Sequence, residues 1–212
     1  MFGRALGAAA VGFLAIAAAT QASAGTTHNN TAAKDHAPIF GRTLPPIGFV
    51  DFCARNRSQC EPNGSSRRAS LTEKRWAALR EVNSQVNAAI EPVSDQELYA
   101  VPERWDYPVD AGDCEDYVLL KQRYLQDLGF PVESLLITVV LDEAGEGHAV
   151  LMVTTDKGDF VLDNRRSEVL RWSDTHYKFL KRQSQEDPRI WLALSEAGRT
   201  SLVEAAGDKR AK

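Results

Sequence analysis

The sequence predicts an α+β fold, with helices first and an antiparallel sheet after them. Two observations carry that prediction. Between residues 70 and 128, apolar residues recur at helical spacing in two long stretches. Between residues 134 and 164, three short runs rich in Val, Leu and Phe are separated by Asp/Gly turn sequences. Connections that short join antiparallel neighbours, and helices placed ahead of such a meander pack on one of its faces.

The chain has 212 residues and a net charge of −4, with no large basic block. That balance gives no electrostatic footprint for nucleic acid. Three cysteines and four histidines are too few for a structural zinc site of the usual spacing.

Residues 1–24 read as a secretory signal peptide. Met1 to Arg4 is a short basic start, Ala5 to Thr20 an apolar run, and Ala22-Ser23-Ala24 an A-x-A cleavage site. The apolar run is short for a membrane span, and no later segment reaches that length, so no span is expected in the mature chain. Periplasmic localisation, or secretion, is the expectation. Gly25 to Pro38 is polar and reads as a flexible leader, with His28 and His36 solvated. Residues 39–194 form the expected domain, and 195–212 a polar tail.

Within the domain, Ile39 to Val50 reads as an extended segment, and Phe49 to Cys53 as a short helix or strand. Ser70-Leu71-Thr72-Glu73 is a capping-box pattern. It opens a helix whose stripe is Leu79, Val82, Val86 and Ile90, and Pro92 closes it. Asn83 and Asn87 lie beside that stripe, either facing solvent or making polar contacts near a site. Val93 to Pro108 reads as an irregular segment, with Trp105 either a cleft wall or core. The second helix runs from Cys114 to Leu128, with Tyr117, Leu120, Tyr124, Leu125 and Leu128 as its buried face. Strands follow at Ser134–Leu141, His148–Thr155 and Phe160–Asn164. Weaker strands are expected at Val169–Trp172 and, on the sheet edge, at Tyr177–Leu180.

Export makes disulfides the default for cysteines, and three cysteines leave one over. Cys53 and Cys60 are close in a polar stretch and can close a small loop. Pairing either with Cys114 would leave no thiol there.

Cys114 opens its helix after the turn Asp110-Ala111-Gly112-Asp113. Unpaired N–H groups and the positive end of the helix dipole favour a thiolate there. His148 in an apolar strand and Asp163 beyond it complete the parts of an activated-nucleophile triad. A symmetrical turn at Lys157-Gly158 would set Met152 opposite Asp163, so pairing with His148 needs a shifted turn or a bulge at Gly158. Asn164 is the alternative partner. The carboxylates of Asp113, Glu115 and Asp116 oppose ionisation of the thiol. Either Asp113 caps the helix, or a hard cation such as Ca²⁺ collects these oxygens.

Gly112-Asp113-Cys114-Glu115-Asp116-Tyr117, Gly147-His148-Ala149-Val150-Leu151 and Asp159-Phe160-Val161-Leu162-Asp163-Asn164 resemble the bacterial transglutaminase-like cysteine peptidases, a family that includes the LapG-type proteases that trim surface adhesins. The resemblance covers about Ile47 to Trp191. It implies a papain-like, transglutaminase-like core with Cys114 as nucleophile, His148 as general base and acid, and Asp163 as orienting group. It implies Ca²⁺ at Asp113 and Glu115, with Asp116 a less certain contributor, and the Cys114 N–H as an oxyanion donor. Trp105 and Asn164 are placed at the substrate cleft. The expected activity is a thiol endopeptidase acting on a protein or peptide substrate, an envelope or surface protein among the options. The alternatives are acyl transfer to an amine and a silent calcium-dependent binding module. No motif points to a regulator.

Overall fold

The structure is a computed structural model that describes residues 1–3 and 35–199. The expected signal peptide, the leader up to residue 34 and the tail beyond residue 199 lie outside the described residues.

The α+β expectation holds. Strand β1 (Gly41–Thr43) is followed by helix α1 (Ile47–Arg55) and a 3-10 turn at Arg57–Cys60. Helix α2 (Glu73–Ala89) starts at Thr72, whose hydroxyl accepts from Arg75 N. A two-residue strand β2 (Glu91–Pro92), a short helix α3 (Asp95–Tyr99) and a two-residue strand β3 (Ala111–Gly112) lead to helix α4 (Cys114–Asp127). Strands β4 (Leu135–Leu141), β5 (Gly147–Thr155), β6 (Gly158–Leu162), β7 (Leu170–Arg171), β8 (Lys178–Gln183) and β9 (Trp191–Ala193) complete the order.

Seven strands form one antiparallel sheet in the order β1-β9-β8-β4-β5-β6-β7, and β2 and β3 form a separate parallel pair. Helices α2 and α4 cover one face, where Leu79, Val82, Val86, Tyr117, Val118 and Leu125 meet Ile137, Leu151, Val153 and Leu162. The other face buries Val140, Val150, Met152, Val161 and Phe179.

Several expectations are corrected. The strand at Lys178–Gln183 is not at the sheet edge; it lies between β9 and β4. Two further strands, β1 and β9, pair outside it. The irregular segment before residue 108 contains α3, opened by a capping box between Ser94 and Glu97. In α4, Tyr124 and Leu128 are exposed, and the buried face runs instead through Tyr117, Val118, Lys121 and Leu125. The end of the leader is pinned. His36 Nδ1 lies 2.8 Å from Asp159 Oδ1, Ala37 N donates to Asp159 Oδ2, and Asp35 pairs with Arg171.

The turn between β5 and β6 is Asp156-Lys157, because Thr155 pairs with Gly158. Gly158 sits at φ +115°, a conformation that favours glycine. This one-residue difference from the expected turn resets the register, and no bulge is needed. Cys53 and Cys60 form the disulfide, and Cys114 is the free cysteine.

Candidate active site

The nucleophile helix is delivered by a pinned loop. Pro92 pairs with Gly112, and Val93 N donates to Gly112 O. A Cβ on Gly112 would stand 2.6 Å from Asp116 Oδ2, so glycine is what lets this carboxylate lie against the loop. Asp113 is the N-cap, but its side chain makes no capping hydrogen bond. Its carboxylate faces elsewhere.

His148 is the second residue of β5, and Asp163 follows the last residue of β6. Continuing the β5–β6 register sets Asp163 opposite Val150, one same-face step from His148. That diagonal is within reach of long side chains. His148 Nε2 and Asp163 Oδ1 are 2.9 Å apart and buried. Asp163 also accepts from Tyr177 OH at 2.6 Å and from Arg165 N at 2.9 Å. Burial alone would push the Asp163 carboxyl up; the bonds from His148, Tyr177 and Arg165 N outweigh it and hold it at about 2. Tyr177 packs edge-on to the His148 ring at 5.8 Å. Burial and the Asp163 bond raise its phenol to about 12.

The other imidazole nitrogen, His148 Nδ1, is buried with no hydrogen-bond partner among the described residues. The Cys114 sulfur accepts from the backbone N–H of Ala149, the residue after His148, at 3.4 Å. Cys114 and His148 line one cleft of about 300 Å³ together with Trp105, Glu115, Gly147 and Lys181. A second cleft of about 470 Å³ also borders Cys114, lined by Asn87, Val93, Tyr117, Asn164 and Arg165.

The expected low thiol pKa is not what the surroundings give. Burial pushes the Cys114 thiol well above its ordinary range, and the charges of Glu115 and Asp113 add to it. Here burial and adjacent carboxylates outweigh the helix dipole. Burial and the Asp113 carboxylate in turn raise Glu115 to about 9. Asp116 is raised to about 7, by burial first and then by Asp113 and Asp95.

These carboxylates form a cluster that includes a residue not expected from the sequence. Oxygens of Asp95, Asp113 and Asp116 lie within 4.8 Å of one another. Asp95 comes from α3 and is fixed by Asp95 N donating to Asp113 Oδ2 and by Arg104 N donating to Asp95 Oδ2. Asp116 Oδ1 accepts from Asp106 N. Asp95 Oδ1, Asp113 Oδ1, Asp116 Oδ2 and Glu115 Oε1 are all buried without a hydrogen-bond partner among the described residues. Glu115 is outside the three-residue group, so of the expected pair only Asp113 belongs to it, joined by Asp116, the less certain contributor, and by Asp95. Orphaned carboxylate oxygens converging this closely fit a hard, oxygen-seeking cation such as Ca²⁺.

Trp105 satisfies both readings of it. It is buried against Phe49, its indole N–H donates to Glu103 Oε1, and it also lines the cleft. Arg55 holds that segment through Trp105 O and Asp106. Asn164 lines the opposite cleft, and Asp163 makes the contact to His148. Asn87 donates to Asp163 O at 2.8 Å, so the asparagine face of α2 does reach the site. No spacing in the sequence pointed to Asp95 or Tyr177. The one local signal was the Ser94–Glu97 capping box, which makes Asp95 the first helical residue.

No curated protein sequence matches the chain. Among solved structures, it is similar to Legionella pneumophila LapG in EGTA-treated form, with 28% identity over 55% of this chain and 66% of that chain at a TM-score of 0.47. It is similar to the calcium-bound form of the same protein, with 26% identity over 64% and 80% of the two chains at a TM-score of 0.48. The first of these matches spans just under two thirds of the Legionella chain. Over residues 39–199 the chain matches the model of the bacterial transglutaminase-like cysteine proteinases, and it belongs to that family.

Proposed function

We propose that this protein is an exported cysteine endopeptidase that uses Cys114, His148 and Asp163. The observation that carries the reading is the buried His148–Asp163 pair, whose second imidazole nitrogen has no partner among the described residues and whose ring lines the same cleft as Cys114. Asp163 fixes the tautomer that bears its proton on Nε2 and leaves Nδ1 free as a base.

In this reading, His148 Nδ1 takes the thiol proton and the Cys114 sulfur attacks the peptide carbonyl carbon. The carbonyl π electrons move to oxygen, where the backbone N–H of Cys114 donates to the oxyanion. When the tetrahedral adduct collapses, the C–N bond breaks and His148 gives its proton to the leaving amine. Water then attacks the thioester carbonyl as His148 takes its proton, and release of the acid returns the proton to sulfur. The two clefts that share Cys114 give an extended polypeptide room beside the scissile bond.

Asp95, Asp113 and Asp116 would hold a Ca²⁺ ion, with Glu115 beside them. Bound there, its charge would offset the repulsion that keeps the thiol protonated. The residues of this chain supply the rest: Asp113 brackets the start of α4, and Asp116 and Asp95 tie the 104–106 segment to it. The signal-peptide pattern of residues 1–24 supports export to the bacterial envelope, and the Cys53–Cys60 disulfide fits an oxidising compartment.

The test is the pH dependence of Cys114 alkylation by iodoacetamide with Ca²⁺, with chelator, and in His148→Ala. Rapid alkylation below pH 7 that collapses in the variant supports the Cys–His pair, and a further loss on chelation supports the metal. Slow alkylation with an ordinary thiol profile, unaffected by either change, would overturn the reading.

A further inference from the structure

Lys121 lies seven residues after Cys114 on α4, two helical turns along the same face. It is completely buried, and among the described residues no carboxylate is within ion-pair distance of its ammonium. The ammonium lies over the Tyr117 ring, 5.8 Å from its centroid, and a buried charge without a counter-ion is costly. Burial pulls its pKa down to about 7, against the attraction of the Asp163 charge.

Its ammonium donates to Asn83 Oδ1 at 2.8 Å. Asn83 is equally buried and turns its amide nitrogen to Arg166 O at 2.9 Å and Ser167 O at 3.2 Å. One turn further along α2, Asn87 donates to Asp163 O at 2.8 Å and to Arg166 O at 3.0 Å. An ammonium can only donate and a carbonyl can only accept. In its charged form Lys121, together with the Arg166 and Ser167 carbonyls, fixes which way the Asn83 amide faces, because a flipped amide would set donor against donor at one end and acceptor against acceptor at the other.

We propose that Lys121 is a positioning residue that, through Asn83, locks the helix carrying Cys114 to the 163–167 segment presenting Asp163 to His148. The proposal rests on the Cys–His–Asp reading above. It links two elements that the sheet alone does not join, since Asp163 lies beyond β6 and Cys114 on a separate helix.

The experiment compares wild type, Lys121→Met, Lys121→Gln and Asn83→Asp, with Ca²⁺ present. Iodoacetamide rates at Cys114 are measured from pH 5 to 9, and ¹⁵N-histidine spectra report the His148 tautomer. Lys121→Met is expected to stay folded, with a urea midpoint at or above wild type. Its alkylation below pH 7 is expected to fall at least about tenfold, with loss of the single Nε2–H tautomer. Lys121→Gln keeps a donor for Asn83 and is expected to recover most of the rate. Asn83→Asp pairs with the ammonium but repels the segment carbonyls, and is expected to reproduce the loss even if Lys121→Met does not fold. Wild-type profiles and tautomer in Lys121→Met or Asn83→Asp would overturn the positioning role while leaving the triad standing. A wild type with no His148-dependent acid limb would overturn the triad, and the positioning role with it.

Discussion

Cys114 donates its thiol proton to Glu115 Oε2 at 3.1 Å, the next residue of the same helix. The acceptor beside the thiol is therefore the Glu115 carboxyl, while His148 Nδ1 has no hydrogen-bond partner among the described residues. Two groups compete for one proton, and the charge state of the acidic cluster decides between them.

Replacing Glu115 by Gln removes a carboxyl that, raised to about 9, becomes charged beside the sulfur only in alkaline solution. In chelator, Cys114 alkylation above about pH 9 should rise about tenfold, the equivalent of one pKa unit of the thiol. The response to added Ca²⁺ should shrink. Unchanged alkylation in chelator would mean that Glu115 does not hold the thiol back.

Asp95→Asn should change sign with the metal. Without Ca²⁺ the variant relieves repulsion among Asp95, Asp113 and Asp116, so it should melt at a higher temperature than wild type. Calorimetric titration should show Ca²⁺ binding weakened at least about tenfold. At saturating Ca²⁺ the order of melting temperatures should reverse. Equal affinity in the two proteins would remove Asp95 from the site.

Tyr177→Phe takes one donor from Asp163, leaving Oδ2 with Arg166 at 4.0 Å. A hydrogen bond to a charged acceptor contributes about 1.5–3 kcal/mol, so peptide hydrolysis should slow by about tenfold or more. The KM for a peptide should hold, since Tyr177 lines neither cleft beside Cys114. A rise in KM with kcat unchanged would contradict this role.

The buried lysine should leave a mark on stability. Lys121 titrates at about 7 in the folded chain, against 10.5 ordinarily. Between those values the unfolded chain binds the proton and the folded chain does not, so this group makes stability rise with pH. Relative to Lys121→Met, wild type should gain about 2 kcal/mol between pH 7 and 9, read from urea midpoints. Parallel curves for the two proteins would place the lysine's titration elsewhere.

The legible part of the site was the part written in local sequence. Cys114 follows a turn and opens a helix, and His148 and Asp163 flank short strands, so all three were readable from order and spacing. Their contact depended on whether the turn was Asp156-Lys157 or Lys157-Gly158, and the left-handed Gly158 settles it. Asp95 was hidden because α3 is five residues long and meets Asp113 through the fold. Tyr177 was read as strand, yet it precedes β8 and reaches Asp163 from a connection. Lys121 inverted the usual rule, since a lysine in a helical pattern reads as its solvent side. The strand expected at Tyr177–Leu180 read as an edge, although it runs on to Gln183 and its Arg182 and Gln183 are buried within the sheet.

The pairing of β1 with β9 brings residues 41–43 against residues 191–193. During synthesis β8 is complete before its neighbour β9 exists, and β9 is complete only when nearly the whole described chain has emerged. Until then the outer side of β8 is an open row of backbone donors and acceptors. A chain ending before Trp191 would thus be sticky toward other copies along β8, the strand whose Lys181 lines the cleft beside Cys114. The exposed edge of an unfinished chain and one wall of the cleft thus meet on a single strand.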